Sequence, residues 1–198
     1  MVTTVIFDLS EVYLHGMKNV EKQLGDVMGI KIPLNTLYLE KEAQLFFNGD
    51  ITEEAFFQNI INKKHWNLTP STFKDIMRAK MVEIEGVREI IEKLRKNGYV
   101  LGLLSVHGKE WIEYCEEKFD YHKLFHSVVY SYEIKVSKPD PRAFVHIMQR
   151  LKAKPQDCLF IDDSKLNIRA AERLGMHTIC FENAKQLTLA LRALKMKL

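Results

Sequence analysis

The length and composition describe an ordinary folded protein. The chain has 198 residues, 46% hydrophobic and 28% charged, enough for one mid-sized domain with a small insertion. This excludes disordered, collagen-like and coiled-coil classes, and a net charge of +3 is too small to indicate nucleic acid binding. The three cysteines have no metal or disulfide spacing, and no apolar run approaches the roughly 20 residues of a membrane span. We therefore expect a cytoplasmic monomer or homodimer with no membrane partner.

Short apolar runs alternate with helical patterns along most of the chain. Strands are predicted at residues 2–9, 99–105, 127–131, 157–162 and 177–181. Helices are predicted at residues 86–97, 141–152, 166–174 and 185–198. This alternation indicates an α/β fold with a doubly wound, Rossmann-like parallel sheet. In such folds, ligands bind beyond the carboxyl ends of the strands.

Residues 16–85 interrupt the alternation, because the segment is rich in helical patterns and has no convincing strand. Its aromatic residues include Phe46, Phe47, Phe56, Phe57 and Trp66. They favour a hydrophobic core within the insertion over a substrate-contacting surface. We predict an α/β core of residues 1–15 and 86–198, with a small helical cap at residues 16–85 inserted after the first strand.

Carboxylates follow two of the predicted strands. Asp8 ends the first strand, and Asp162 and Asp163 end the fourth. If these strands are neighbours, the three carboxylates converge and repel one another unless a cation neutralises them. Oxygen ligands of this kind suit Mg²⁺, so the pattern predicts a magnesium site. For any single Asp, capping of the following turn is the ordinary alternative.

A hydroxyl and an ammonium stand at other strand ends. Ser105 ends the second predicted strand, and Lys138 lies in the rigid loop from Ser137 to Pro141. Both groups suit the oxygens of a phosphoryl group. Each alone would be unremarkable, because a strand-terminal Ser usually caps a helix and a Lys before Pro is usually solvated.

The order of these residues resembles the haloacid dehalogenase superfamily of hydrolases. The stretches are Phe7–Ser10, Leu104–Ser105, Ser137–Pro141 and Phe160–Met176. The resemblance covers the whole chain and is nearest to small sugar-phosphate phosphatases with a helical cap of the C1 type. It implies a Mg²⁺-dependent hydrolase of a small phosphorylated metabolite, such as a sugar phosphate.

The resemblance also implies a nucleophile and a metal site. Asp8 would attack phosphorus and form an aspartyl-phosphate that water later hydrolyses. Mg²⁺ would be held by the Asp8 carboxylate, the backbone carbonyl of Ser10, and the carboxylates of Asp162 and Asp163. The metal would hold the phosphate against Asp8 and offset the repulsion between two anions.

The same resemblance implies a phosphate-binding set. Ser105 and Lys138 would stabilise the phosphate oxygens, and Lys138 would also orient Asp8. Val106 and His107 continue the phosphate-binding loop, and Asn167 supports the site. For His107 the residues alone leave three interpretations open: a phosphate ligand, a general acid, or a solvated loop histidine.

Ser10 is the main departure from the family pattern. Most phosphatases of the superfamily have a second Asp at this position, which serves as general acid and base. A serine hydroxyl does not replace it at neutral pH, so we expect a loss of about 10²–10⁴-fold in rate. Glu11, His15 or His107 is a possible substitute.

Two alternatives to a phosphatase follow from these departures. Ser10 and Val106 motivate an impaired relative that binds a phosphate ligand or a protein partner without turnover. A dehalogenase is less favoured, because Ser10 is not aromatic and no Arg is identifiable to accept halide.

Overall fold

The computed structural model describes residues 1–198 as a five-stranded parallel sheet with helices on both faces. The strands are β1 (Thr4–Phe7), β2 (Val100–Ser105), β3 (Ser127–Tyr130), β4 (Cys158–Asp162) and β5 (His177–Cys180). Their order in the sheet is β3-β2-β1-β4-β5, and every neighbouring pair is parallel. This arrangement confirms the predicted α/β fold.

Four helices of the insertion follow β1: α1 (Val20–Met28), α2 (Lys41–Phe47), α3 (Glu53–Lys64) and α4 (Pro70–Lys80). The others are α5 (Val87–Lys96), α6 (Lys109–Phe119), α7 (Ser131–Ile134), α8 (Pro141–Leu151), α9 (Lys165–Arg173) and α10 (Ala184–Ala193). The sequence pattern does not predict α6 or α7, and α10 ends earlier than expected. None of these helices combines the length and the apolar character that crossing a bilayer requires.

The central strand β1 is buried on both faces, and its pairing with β2 and β4 determines where the residue after it lies. Val5 packs into the larger hydrophobic cluster, with α5 and α10, and Ile6 packs into the smaller one, with α8 and α9. Phe7 pairs with Leu103 of β2 and with Ile161 of β4. Asp8, the residue that follows β1, therefore leaves the sheet beside the end of β4.

Phe46, Phe47, Phe56 and Phe57 of the insertion are buried and Trp66 is partly buried, but their cluster extends beyond residues 16–85. Phe46 stacks on Phe56, with 5.2 Å between ring centroids. Trp111 of α6 meets the Phe46 ring edge-on at 4.9 Å. Gly108 precedes α6 and allows this approach, because a β-carbon there would overlap the Phe46 ring. The insertion and α6 therefore share one hydrophobic interior.

Polar contacts also join the insertion to the connection after β3. The Ser131 hydroxyl donates to the carbonyl oxygen of Phe47 at 2.5 Å. Lys135 Nζ donates to the carbonyl oxygen of Asn48 at 2.6 Å, and the Ser137 hydroxyl donates to Asn48 Oδ1 at 3.2 Å. These bonds hold the end of α2 over the carboxyl edge of the sheet.

Candidate active site

A cavity of about 610 Å³ lies between the carboxyl edge of the sheet and the insertion. Its core wall includes Asp8, Ser10, Val106, His107, Lys138 and Asp163. Its other wall includes Lys18, Asn35, Tyr38, Gln44 and Phe47. Asp162 and Ser105 lie beneath this surface and do not line the cavity. The structure thus brings the predicted site residues together at one edge of the sheet.

Asp8 follows β1 directly and is buried at the cavity floor. Its Oδ1 accepts a hydrogen bond from the Leu9 backbone N–H at 2.7 Å and lies 2.8 Å from Lys138 Nζ. Its Oδ2 accepts no hydrogen bond from the protein. One oxygen of this carboxylate is therefore held in place, while the other is free to meet a molecule in the cavity.

Lys138 bridges the carboxylates of Asp8 and Asp162. Its side chain is 2% exposed, and its Nζ lies 2.6 Å from Asp162 Oδ2. Asp162 also accepts bonds from the Ser164 backbone N–H at 2.8 Å and from Asn167 Nδ2 at 3.1 and 3.0 Å. Every oxygen of Asp162 thus has a partner, and Asn167 supports the cluster through Asp162.

Burial sets the electrostatics of this cluster. It raises the pKa of Asp8 to about 7, with Lys138 opposing the shift and Asp162 adding to it. Burial alone would lower the pKa of Lys138, but Asp162 and Asp8 together raise it. Lys138 therefore stays protonated at neutral pH and offsets part of the negative charge.

Asp163 completes a group of three carboxylates. Its side chain is 25% exposed, and its Oδ2 lies 3.3 Å from Nζ of the half-exposed Lys18. Burial and the neighbouring Asp162 raise the pKa of Asp163. Oxygen atoms of Asp8, Asp162 and Asp163 lie within 4.8 Å of one another. One buried lysine does not neutralise three carboxylates, so this all-oxygen donor set fits Mg²⁺.

His107 is not a solvated loop residue, because it is only 5% exposed. The rings of Phe47 and Trp111 lie 6.4 and 6.1 Å from its imidazole and shield it from water. Burial and the nearby Lys138 charge lower the pKa of His107 to about 4. The imidazole is therefore neutral at pH 7 and lacks the acidic imidazolium proton that a general acid would donate. Its Nδ1 lies 3.0 Å from the Ser105 hydroxyl oxygen.

Of the other two proton donors considered, only Glu11 reaches the cavity. Glu11 Oε1 accepts a hydrogen bond from the Gly16 backbone N–H at 2.9 Å. His15 is exposed, does not line the cavity, and has its Nδ1 3.6 Å from Glu11 Oε2. Ser10 lies at the cavity wall, and its hydroxyl lies against Gly16. A β-carbon at position 16 would overlap this hydroxyl.

The residues that sequence reasoning missed come from the insertion and from α6. Lys18, Asn35 and Tyr38 line the cavity, yet no spacing pattern marks them as site residues. Trp111 also lines it, from a helix that the sequence pattern does not predict. A helical pattern identifies buried positions but not the element they are buried against.

A family model described as haloacid dehalogenase-like hydrolase matches residues 26–181. The chain is 28% identical over 143 residues to flavin mononucleotide hydrolase 1 of Arabidopsis thaliana, covering 72% of this chain and 57% of that protein. It is 34% identical over 116 residues to the glyceraldehyde 3-phosphate phosphatase of Methanopyrus kandleri, covering 57% and 49%. The chain thus spans about half the length of these curated relatives.

The structure is also similar to solved structures. One is a HAD family enzyme from Bacteroides thetaiotaomicron, solved in complex with magnesium and inorganic phosphate. The TM-score is 0.72 at 22% identity, covering 92% of this chain and 96% of that one. This likeness supports the fold.

Proposed function

This chain belongs to the family of haloacid dehalogenase-like hydrolases, and we propose that it hydrolyses phosphomonoesters through an aspartyl-phosphate on Asp8. The arrangement of the Asp8 carboxylate carries the proposal: Lys138 and the Leu9 N–H hold Oδ1, and Oδ2 is free at the cavity floor. Two curated relatives act on phosphate esters according to their names. The cavity volume suits a small phosphorylated metabolite such as a sugar phosphate.

In the first step, Asp8 Oδ2 attacks phosphorus and the bond from phosphorus to the ester oxygen breaks. The leaving alkoxide takes a proton from water and departs as an alcohol. In the second step, water attacks the aspartyl-phosphate, which releases inorganic phosphate and restores the carboxylate. Lys138 keeps Oδ1 fixed in both steps, so that Oδ2 stays directed at the substrate.

The site also has to hold the substrate's negative charge. We propose that Lys138 and the loop formed by Ser105, Val106 and His107 contact the phosphate oxygens. The carboxylates of Asp8, Asp162 and Asp163 and the backbone carbonyl of Ser10 would hold Mg²⁺. When bound, Mg²⁺ would supply positive charge between the carboxylates and the phosphate.

The proposed phosphatase should be slow, because Ser10 stands where most relatives have a second Asp. Its hydroxyl does not protonate the leaving oxygen at neutral pH, and His107 is neutral. Of Glu11 and His15, only Glu11 borders the cavity, and its Oε1 already accepts a hydrogen bond from the Gly16 N–H. Esters with a good leaving group should therefore react fastest.

A second candidate is a binding protein without turnover, and Ser10 favours it. In that case the carboxylates and Lys138 would hold a metal and a phosphate ligand, but no ester bond would break. The two candidates differ in whether phosphate is released.

The proposal is tested with p-nitrophenyl phosphate and a panel of sugar phosphates. Phosphate release is measured with Mg²⁺ and with EDTA, for the wild type and for Asp8→Asn. We expect Mg²⁺-dependent release that falls at least about 10³-fold in Asp8→Asn, because the nucleophile is lost. Asp26→Asn, an exposed substitution of the same kind, is the control and should not change the rate. Absence of release by the wild type would favour the binding protein.

Ser10→Asp sharpens the same test. Adding a carboxyl group at this position should raise kcat by about 10-fold or more, because it supplies the missing proton transfer. The gain should be larger for a sugar phosphate than for p-nitrophenyl phosphate, whose leaving group needs little protonation. An equal gain on both substrates would contradict a general-acid role.

A further inference from the structure

A second cavity, of about 560 Å³, is lined only by residues of the insertion, from α1 and the segment that follows it. No residue lines both this cavity and the one at the sheet edge. Gly29 ends α1 in the left-handed region (φ 67°), which turns the chain back toward the helix. Gly25 allows the close return, because a β-carbon there would lie 2.5 Å from the carbonyl oxygen of Ile30. The two glycines thus shape a cavity between α1 and residues 30–34.

Glu21 is the buried polar residue of this second cavity. Its side chain lies in the first turn of α1 and is 0% exposed. Its Oε1 accepts one long hydrogen bond, from the Leu37 backbone N–H at 3.3 Å. Its Oε2 is also buried and has no hydrogen-bond partner in the protein. Because an unsatisfied buried oxygen costs free energy, a ligand that donates a hydrogen bond to Oε2 would recover that cost on binding.

The charges at the rim of the second cavity differ from the charge inside it. Lys22, Asp26 and Lys31 also line the cavity, but all three are exposed, so water and salt screen their charges. Neither lysine bonds to Glu21 Oε2. The one buried charge of this cavity is therefore negative, and a cation with an N–H group would both neutralise it and satisfy the oxygen.

The rest of the lining favours an organic cation over a metal ion. Ile30, Ile32 and Leu34 present apolar side chains, and those of Ile30 and Leu34 are exposed. A bound Mg²⁺ or Ca²⁺ ion takes about six or more oxygen ligands, and these apolar side chains supply none. An ammonium group has N–H donors for Glu21 Oε2, and an attached alkyl chain would cover the apolar side chains.

We propose that the second cavity binds a small organic ammonium compound, whose N–H group donates to Glu21 Oε2 and whose apolar part packs against Ile30, Ile32 and Leu34. This site is separate from the carboxylates at the sheet edge, so the proposal does not depend on phosphate hydrolysis. It gives the insertion a binding role of its own, in addition to enclosing the sheet edge.

The first test is a titration of the ¹⁵N-labelled protein with n-butylammonium, followed by the chemical shifts of the backbone amides. We expect saturable shifts in residues 21–37, including the Leu37 amide that bonds to Glu21, with a dissociation constant of about 1 mM, as for other very small ligands. Butyrate and 1-butanol, which have a similar chain but no ammonium group, should give no saturable shifts there. Equal shifts with 1-butanol, or shifts confined to the surroundings of Asp8 and Asp163, would overturn the proposal.

The second test is Glu21→Gln, which keeps the shape of the side chain but removes its charge. We expect the affinity for n-butylammonium to fall by at least about 10-fold, as for a lost bond to a charged group. Glu54→Gln, at an exposed position of α3, is the matched control and should leave the affinity unchanged. In thermal unfolding, n-butylammonium should raise the Tm of the wild type and of the control but not that of Glu21→Gln. An unchanged affinity in folded Glu21→Gln would show that the proposal is wrong, and if this variant does not fold, the wild-type titration decides.

Discussion

The carboxyl edge of the sheet and the insertion build opposite walls of one cavity by different means. At the sheet edge, charged groups are buried and held by short bonds, as in the contacts of Lys138 with Asp8 and Asp162. On the insertion side, apolar rings pack against Trp111, and the exposed Lys18 makes a longer ion pair with Asp163. The comparison indicates that the sheet edge provides the reactive groups in a rigid arrangement. The insertion provides the enclosure, and its ion pair with the carboxylate cluster, from Lys18 to Asp163, is longer and half-exposed.

Lys138→Met should have the largest effect on stability. It leaves the buried carboxylates of Asp8 and Asp162 without their shared cation, which should lower the free energy of unfolding by about 3–5 kcal/mol. The measurement is urea unfolding at neutral pH with EDTA, so that no metal replaces the lysine. Lys154→Met, at an exposed position, should change stability little. A loss below about 1 kcal/mol for Lys138→Met would show that the sheet edge is not held by this pair of contacts.

Gly108→Ala should have an intermediate effect and tests how the insertion is seated. The backbone at Gly108 (φ −73°, ψ 147°) accepts any residue, so the cost comes only from overlap with the Phe46 ring. Overpacking of this kind should cost about 1–3 kcal/mol in urea unfolding. The exposed neighbour Lys109→Ala serves as the control. An unchanged stability would mean that Phe46 does not rest on Gly108 in solution.

Lys18→Ala should have the smallest effect. An exposed ion pair contributes about 0.2–1 kcal/mol, so the loss of stability should be hard to detect. Because Lys18 competes for Asp163, its removal should tighten Mg²⁺ binding by up to about fivefold in calorimetric titration. The control is Lys22→Ala. Lys22 is an exposed residue of α1, so its removal should leave the affinity for Mg²⁺ unchanged. Weaker binding in Lys18→Ala would show that Lys18 supports the site instead of competing with it.

Several features of the fold and site could be predicted because they depend on short stretches of sequence. Apolar runs that end in Asp8 and in Asp162 identify buried strands, and parallel pairing brings their carboxyl ends together. The observed sheet confirms the α/β fold, and the match to the family model confirms the family. The division at residues 16–85, the roles of the site residues, the metal and the substrate stay predictions.

The sequence by itself determined which groups could react, because each apolar run ends directly in its carboxylates, Asp8 after one run and Asp162 and Asp163 at the end of another. Only the tertiary structure decided what surrounds them. The burial of His107 depends on Phe47 and Trp111, which lie on separate helices and meet only when α2 packs against α6. Contacts between residues distant in sequence follow from how the helices pack, which a hydrophobic period does not encode.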